Sequence, residues 1–544
     1  MKVLVVIPAR GGSKGIPRKN LRALAGRPLL SYSIKTAQAS RYQPEVFVST
    51  DDQEISAIAN KLGASAIERE PADAQDDTTL DPVIYGALQE AVAKTGVSYD
   101  VVVTLQPTSP LLKVASLDKA LDLFATKVDL DTVISAKDET HLTWGRDGSG
   151  NFAPNYSARD NRQYLEPVFR ETGGFLITRT RNVTKNNRIG QNVELYSLSG
   201  GEEIDIDTYE DWGLCEYYLK RKKILFVVSG YREIGLGHVY NTLLIANDIL
   251  NHQVEFLVDS SSDLAFDVIQ SKNYPVFKQE NEDIIEDIRL RAPDVVINDR
   301  LDTDVTYVGR LKSEGYCVIN FEDLGEGARL ADMVINAIYP EKTVLPRHYF
   351  GHEYVVLRDE FLLTPAKPTA QRVEQVLLTF GGVDPNNFSL KVLEAIHSYC
   401  SDNNINISVV AGFGYAQYES LSKFEGVEVY RNSMDIAEHM RCADVIFTSA
   451  GRTTYEIAAL AVPAIVLAQN KRETTHFFAS ADNGFLNLGL GVYVSHEEIL
   501  AAFKELVEDY PARKHIAHIM ASADLVSGRQ RVIRLINDTV EGRI

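Results

Sequence analysis

The chain has 544 residues, too many for one ordinary core, so two or three domains are expected. With 45% hydrophobic and 24% charged residues it has the balance of a globular protein. A formal net charge of −19 argues against general nucleic-acid binding, which needs a basic face, but leaves room for local cationic pockets that take small anions. No apolar run reaches the roughly 18 residues of a membrane span. The opening "MKVLVVIPAR" lacks the longer apolar region and small-residue cleavage site of a signal peptide and reads as a first strand. Cys215, Cys317, Cys400 and Cys442 are scattered, with no CxxC and no metal-type pair, so a reduced, cytoplasmic protein is expected.

In chain order, strands are predicted at 3–7, 45–50, 100–106 and 131–136, several of them too apolar for a one-sided sheet. Helical stretches such as 29–40 lie between them, and the alternation predicts a parallel α/β sheet. After "KRKK" (220–223) a second series begins, with strands at 224–230, 254–259, 294–299 and 316–323. A third follows the proline-bearing stretch 362–372, with strands at 375–382, 406–412, 444–451 and 463–468. The expected organisation is one α/β domain over 1–221 and two α/β lobes over 222–370 and 371–544.

Three stretches of the first domain carry chemistry. "IPARGGSKGIPRKN" (7–20) leaves the first strand at its C-terminal end, where α/β sheets bind ligands. Gly11, Gly12 and Gly15 allow close backbone approach, and Arg10, Lys14, Arg18 and Lys19 supply charge. The spacing is neither GxxxxGK[ST] nor GxGxxG, so neither a Walker loop nor a dinucleotide fingerprint applies; a solvated basic turn is the competing reading. "LQPTSPLL" (105–112) puts Gln106 at a strand end before a proline-stiffened turn, where its amide can read a sugar or base, or simply serve the turn. "EIDIDTYEDW" (203–212) holds Asp205 and Asp207 two apart on an expected strand end, facing the same way. An oxygen-only pair suits Mg²⁺, although Asp207 capping the next helix fits the spacing equally well.

Together these stretches make residues 1–220 resemble the CMP-sialate synthetases, cytidylyltransferases that activate nonulosonic acids. The resemblance implies a nucleotidyltransferase-type α/β fold, CTP and Mg²⁺ as nucleotide and metal, and a homodimer or higher oligomer. It puts Arg10, Ser13, Lys14, Lys19 and Asn20 on the nucleotide, Gln106 on the sugar, and Asp205 and Asp207 on the metal. "EREPADAQDD" (68–77) departs from the family's Arg-Pro pair, with Arg69 as the counterpart, while Arg162 and Gln163 match an "RQ" pair. "RETGGFLIT" (170–178) replaces the family's Asn-Gly on the sugar side.

Further on, "VVSGYREIGLGHVYNTLLIAN" (227–247) again reads as strand, glycine turn and helix, with Gly235 and Gly237 framing the helix entry and His238 at its start. A lone histidine is commonly structural; on a glycine turn after a first strand it is also a candidate for chemistry, and a helix N-terminus would favour its neutral form. In "TSAGRTTYEIAALAVPAIVLAQ" (448–469), Ser449, Gly451, Thr453 and Thr454 offer amides and hydroxyls to a diphosphate. Glu456 can accept from ribose hydroxyls or serve as a helix-start carboxylate. Residues 223–540 resemble the UDP-sugar hydrolases of pseudaminic acid synthesis, relatives of the two-lobed glycosyltransferases. The carrying stretches are "GLGHVYNTLLIA", "FGGVDPNN" and "SAGRTTYEIAALAVPAIVL". The resemblance implies two Rossmann-like, glycosyltransferase-B-like lobes, with His238 at the reacting centre and Ser449 to Glu456 on UDP. Asn241 stands where that family commonly has Arg, and "INDRLDTD" (297–304) replaces an Asp-x-Tyr, leaving Asp299 and Asp302 as candidates. The expectation is a bifunctional enzyme that makes a CMP-activated acid and cleaves a UDP-sugar; the alternatives for the second half are a glycosyltransferase or a non-catalytic nucleotide-sugar module.

Overall fold

The computed structural model describes all residues except 13–14, 71–77, 232–235, 342, 413, 432, 434 and 544. The chain divides into two compact units, Met1–Arg221 and Lys222–Ile544. Among the described residues no helix is long and apolar enough to cross a membrane. All four cysteines are free, and burial pushes the Cys215 and Cys400 thiols up to about 12.

The first unit is built on β1 (Val3–Pro8), β2 (Glu45–Thr50), β3 (Ser65–Glu68), β4 (Val101–Thr104), β5 (Thr132–Asp138), β6 (Phe169–Arg179) and β7 (Val193–Ser197). They form one sheet in the order β7-β5-β6-β4-β1-β2-β3. Every pairing is parallel except those of β6, which runs antiparallel to β4 and β5. Val3, Val5 and Ile7 pack on one face with Leu30 and Ile34, while Leu4 and Val6 pack on the other with Ile84 and Leu88. Burial of both faces is why "VLVVI" is unbroken in apolar character.

The second unit holds two all-parallel sheets. The first contains β8 (Lys223–Val228), β9 (Gln253–Val258), β10 (Val276–Lys278), β11 (Val295–Asp299), β12 (Cys317–Phe321), β13 (Met333–Asn336) and β14 (His348–Phe350), in the order β10-β9-β8-β11-β12-β13-β14. The second contains β15 (Gln375–Leu378), β16 (Asn406–Ala411), β17 (Val427–Arg431), β18 (Val445–Thr448), β19 (Ala464–Ala468) and β20 (Phe485–Leu490), in the order β17-β16-β15-β18-β19-β20. The expected lobe limits need one amendment. The last helix, Gly528–Val540, returns to the first lobe, where Val532 and Ile536 join the core of Ile224 and Phe226. Arg529 pins it there by ion pairs to Asp248 and Asp359. The proline-bearing connection between lobes is anchored by the fully buried Arg513, which donates to the carbonyls of Ala370, Gln371, Leu506 and Val507.

In each of the three large sheets the run of parallel strands switches direction beside its first strand, and a crevice opens there at the C-terminal strand ends. In the three sheets it lies between β1 and β4, β8 and β11, and β15 and β18. Described residues of the stretches singled out in the sequence emerge at these points: 9–12 and Gln106; His238 and Asp299; and 379–387 with 449–454.

Candidate active sites

In the first unit the cationic loop is laced to the aspartate stretch. Lys19 Nζ donates to the Ile206 carbonyl at 2.6 Å and lies 3.4 Å from Asp207 Oδ1. A Cβ added to Gly15 would sit 2.6 Å from the Asp207 carbonyl oxygen, so glycine is what permits this approach. Asn20 Nδ2 donates to the Arg10 carbonyl at 3.0 Å and so braces the loop from within. Arg18, in the left-handed region at φ 55°, pairs with Glu54 at the surface. Ser13 and Lys14 lie outside the described residues.

Residues 203–207 are not part of a strand, contrary to expectation; Ile206 is fully buried and its amide donates to the Thr108 carbonyl at 2.8 Å. Asp205 is tucked inward while the Asp207 side chain is 78% exposed. Burial first, then the charges of Asp207 and Asp211, raise the Asp205 carboxyl above the ordinary aspartate value. Asp205 Oδ1, Thr108 Oγ1 and Ser109 Oγ are buried together without an aligned hydrogen bond, although the Thr108 hydroxyl lies close enough to Asp205 to offset part of its rise. Gly173 faces the same spot: a Cβ there would lie 2.9 Å from Ser109 Oγ and 3.1 Å from both Asp205 oxygens. Asp207 is not the helix cap. Thr208 and Asp211 form a capping box on Tyr209–Lys220, which leaves the Asp207 carboxylate at the loop.

Gln106 belongs to the same corner, its backbone N–H donating to the Gly173 carbonyl at 3.2 Å. Arg69 Nη2 donates to the Ser49 carbonyl at the end of β2. Arg162 pairs with Asp138 at 3.5 Å on an exposed segment that also carries Gln163. Sequence reasoning missed Arg188, a largely buried guanidinium that donates to Thr104 Oγ1 at the end of β4 and pairs with Asp81 at 3.1 Å. Its signal was weak, since "NNRIG" reads as an ordinary loop.

In the second unit, His238 is the second residue of the Gly237–Asp248 helix, and Gly235 lies outside the described residues. His238 Nδ1 and Asp299 Oδ1 are 2.5 Å apart, and Asn241 Nδ2 donates to Asp299 Oδ2 at 2.6 Å. Asp299 is fully buried at the end of β11. The helix N-terminus was expected to favour neutral imidazole. Burial does press in that direction, but the charges of Asp299 and Glu322 outweigh it and raise the His238 value. An Nδ1–H donated to Asp299 leaves Nε2 with a lone pair. Asp302 stands apart from this pair, bound to Arg472 at 3.0 Å.

From the second lobe, Arg452 reaches the same point. Its Nη1 donates to Asn241 Oδ1 at 3.2 Å, and its Nη2 lies 2.6 Å from Glu322 Oε1, a charge contact rather than an aligned hydrogen bond. Ser449 and Thr454 are buried, and the Thr454 hydroxyl turns back to the Gly451 carbonyl at 2.8 Å. Thr453 opens the short Thr453–Ala459 helix. Glu456 accepts from Arg358 Nε at 2.9 Å, so its carboxylate is already engaged.

A cationic glycine loop meets an inward-facing carboxylate at the switch point of an α/β sheet, an arrangement suited to an anionic nucleotide. Residues 4–142 match the cytidylyltransferase family. The chain is 34% identical over 227 residues to the CMP-N,N'-diacetyllegionaminic acid synthase of Legionella pneumophila, covering 40% of this chain and 95% of that protein. It is 25% identical over 340 residues to the spore coat polysaccharide biosynthesis protein SpsG of Bacillus subtilis, covering 59% of this chain and 99% of that one. A solved structure of MurG from Acinetobacter baumannii aligns over 58% of this chain and 99% of its own with 14% identity and a TM-score of 0.44. The protein belongs to the cytidylyltransferase family.

Proposed function

We propose that the first unit transfers CMP from CTP to a nonulosonic acid of the legionaminic class. The observation that carries this reading is the docking of the cationic loop onto the Ile206–Asp207 stretch, in a chain 34% identical to a CMP-N,N'-diacetyllegionaminic acid synthase. The anomeric hydroxyl of the acid attacks the α-phosphorus and gives up its proton to solvent, the bond from that phosphorus to the bridging oxygen breaks, and pyrophosphate leaves with the electron pair. Such a reaction is promoted mainly by positioning and by stabilising phosphate charge. Lys19, Arg10 and the loop amides hold the triphosphate, and Gln106 reads the sugar near Gly173. Asp205 and Asp207 would hold Mg²⁺. The Asp205 carboxylate beside the Thr108 and Ser109 hydroxyls is an all-oxygen set of the kind this ion takes. When bound, the ion neutralises charge on the phosphoryl oxygens. Asp207→Ala should then abolish pyrophosphate release from CTP and the acid; near-normal turnover would remove the aspartates from the chemistry.

For the second unit, the His238–Asp299 pair at a switch point supports hydrolysis of a UDP-linked diacetamido sugar. Water attacks the anomeric carbon and passes its proton to His238 Nε2, while the carbon–oxygen bond to the β-phosphate breaks and UDP departs with the electron pair. Ser449, Gly451 and Thr453 contact UDP in this reading. UDP and free sugar formed without an acceptor support it; turnover only with an acceptor would make the unit a glycosyltransferase, and binding without turnover a nucleotide-sugar module.

A further inference from the structure

We propose that Arg452 is a positioning residue for His238, acting from the second lobe through Asn241 and Asp299. Its catalytic consequence rests on the hydrolytic reading above; its structural content rests on geometry alone.

The relay has three links. Arg452 Nη1 donates to Asn241 Oδ1 at 3.2 Å, Asn241 Nδ2 donates to Asp299 Oδ2 at 2.6 Å, and Asp299 Oδ1 meets His238 Nδ1 at 2.5 Å. Guanidinium offers donors only, and carboxylate accepts only. Only one of the two orientations of the Asn241 amide therefore satisfies both neighbours. With Arg452 present, the amide oxygen is drawn to the guanidinium and the NH₂ is fixed on Asp299. Turned over, the amide would set an oxygen against a buried carboxylate and an NH₂ against a cation. With each Asp299 oxygen claimed by a different partner, the carboxylate plane is set, and with it the ring orientation and tautomer of His238.

Glu322 supplies an independent observation. It follows β12 directly, is buried, and holds φ at 53°, a region that non-glycine residues largely avoid. Its carboxylate meets Arg452 at 2.6 Å. A buried ion pair is a weak source of stability because desolvation offsets its attraction. Holding the guanidinium in one place gives the strained glutamate a use. Arg452 and Glu322 come from different lobes, so the relay is complete only where the "SAGRTT" turn meets the first lobe. The orientation of His238 is thereby tied to the approach of the two lobes.

The experiment uses the full-length chain and the double variant Arg452→Met/Glu322→Gln, which removes the donor without leaving Glu322 charged and unpaired. Arg452→Lys, which keeps a donor, is the rescue. Nitrogen-15 NMR of labelled histidine, assigned with His238→Gln, reports the His238 tautomer directly. At a pH above the raised His238 value, wild type should show a single Nδ1–H tautomer, the double variant a mixture, and Arg452→Lys a return toward the single form. UDP release from a UDP-diacetamido sugar should fall about 10- to 100-fold in kcat in the double variant, the scale of a small misplacement, with KM changed less than about threefold. An unchanged His238 spectrum in the folded double variant would overturn the inference. A wild type that releases no UDP would refute the hydrolytic reading alone, and the spectra would still decide the role of Arg452. If the double variant does not fold, Asn241→Leu breaks the same relay at its middle link, and an unaltered tautomer there is equally fatal.

Discussion

Gly15→Ala isolates the contact between the cationic loop and the aspartates. The new Cβ would lie 2.6 Å from the Asp207 carbonyl oxygen, against ordinary van der Waals contact from 3.4 Å. The neighbour is backbone and cannot swing aside, so loop and aspartate stretch must part by about 0.8 Å, the difference of those two distances. Overpacking of this kind costs about 1–3 kcal/mol in stability. A displacement near 1 Å at a reacting centre costs about 100-fold in rate. The expected result is a fall of roughly 100-fold in kcat/KM for CTP in a pyrophosphate-release assay, with the protein still folded at 25 °C. Gly213→Ala, on the Tyr209–Lys220 helix with nothing within 4 Å of the added Cβ, serves as the control and should be silent. Less than a threefold change in Gly15→Ala would mean that the loop does not need its seat on Asp207.

Asp205→Asn should abolish CMP transfer yet raise the Tm at pH 7. A carboxyl raised by burial makes the folded state bind its proton more tightly, so stability is lost as pH climbs from the unfolded value through the folded one, and asparagine removes that loss. Each ~1 kcal/mol recovered should appear as about 2–4 °C in calorimetry. Asp299→Asn should shift the acid limb of UDP release to lower pH. The wild-type limb sits above about 6.5 because Asp299 raises His238, and the neutral ring is the active form. The stabilisation from charged His238 is complete below about pH 6.5 and lost as pH rises through the raised value, so the variant should flatten Tm against pH over that window. Arg513→Ala should destabilise the second unit by about 3–5 kcal/mol, since four carbonyls lose a buried charged donor, while the unfolding transition of the first unit stays in place.

The parts of the fold legible in the sequence were the central strands. "VLVVI" and its counterparts are buried on both faces and so carry an unbroken apolar run. Edge strands were harder: Val193–Ser197 alternates exposed and half-buried residues, and Val427–Arg431 does much the same, so neither stands out from a loop. The helix Gly528–Val540 was assigned to the wrong lobe because only its packing on Phe226 and its pinning by Arg529 say where it belongs. At the sites, sequence position predicted which loops meet at the sheet crevices but not what their side chains do there. Asn20 and Thr454 spend their polar groups on their own loops, and Glu456 is held by Arg358 from far along the chain. The direction in which His238 is shifted was misread because the local helix terminus was weighed without Asp299, which is 61 residues away. Arg452 stood inside a quoted motif, but its partners lie in the other lobe and leave no local signature. The capping of Tyr209–Lys220 was present in "TYED", where Thr208 and Asp211 have capping-box spacing.

The most direct test of the central claim is a product assay on the purified full-length chain with CTP, Mg²⁺ and a panel of nonulosonic acids, read by mass spectrometry with pyrophosphate measured in parallel. The account predicts a CMP-linked acid and pyrophosphate in equal amounts, strongest with a legionaminic-type acid. Pyrophosphate release that does not depend on the acid, or no CMP-linked product with any member of the panel, would contradict it.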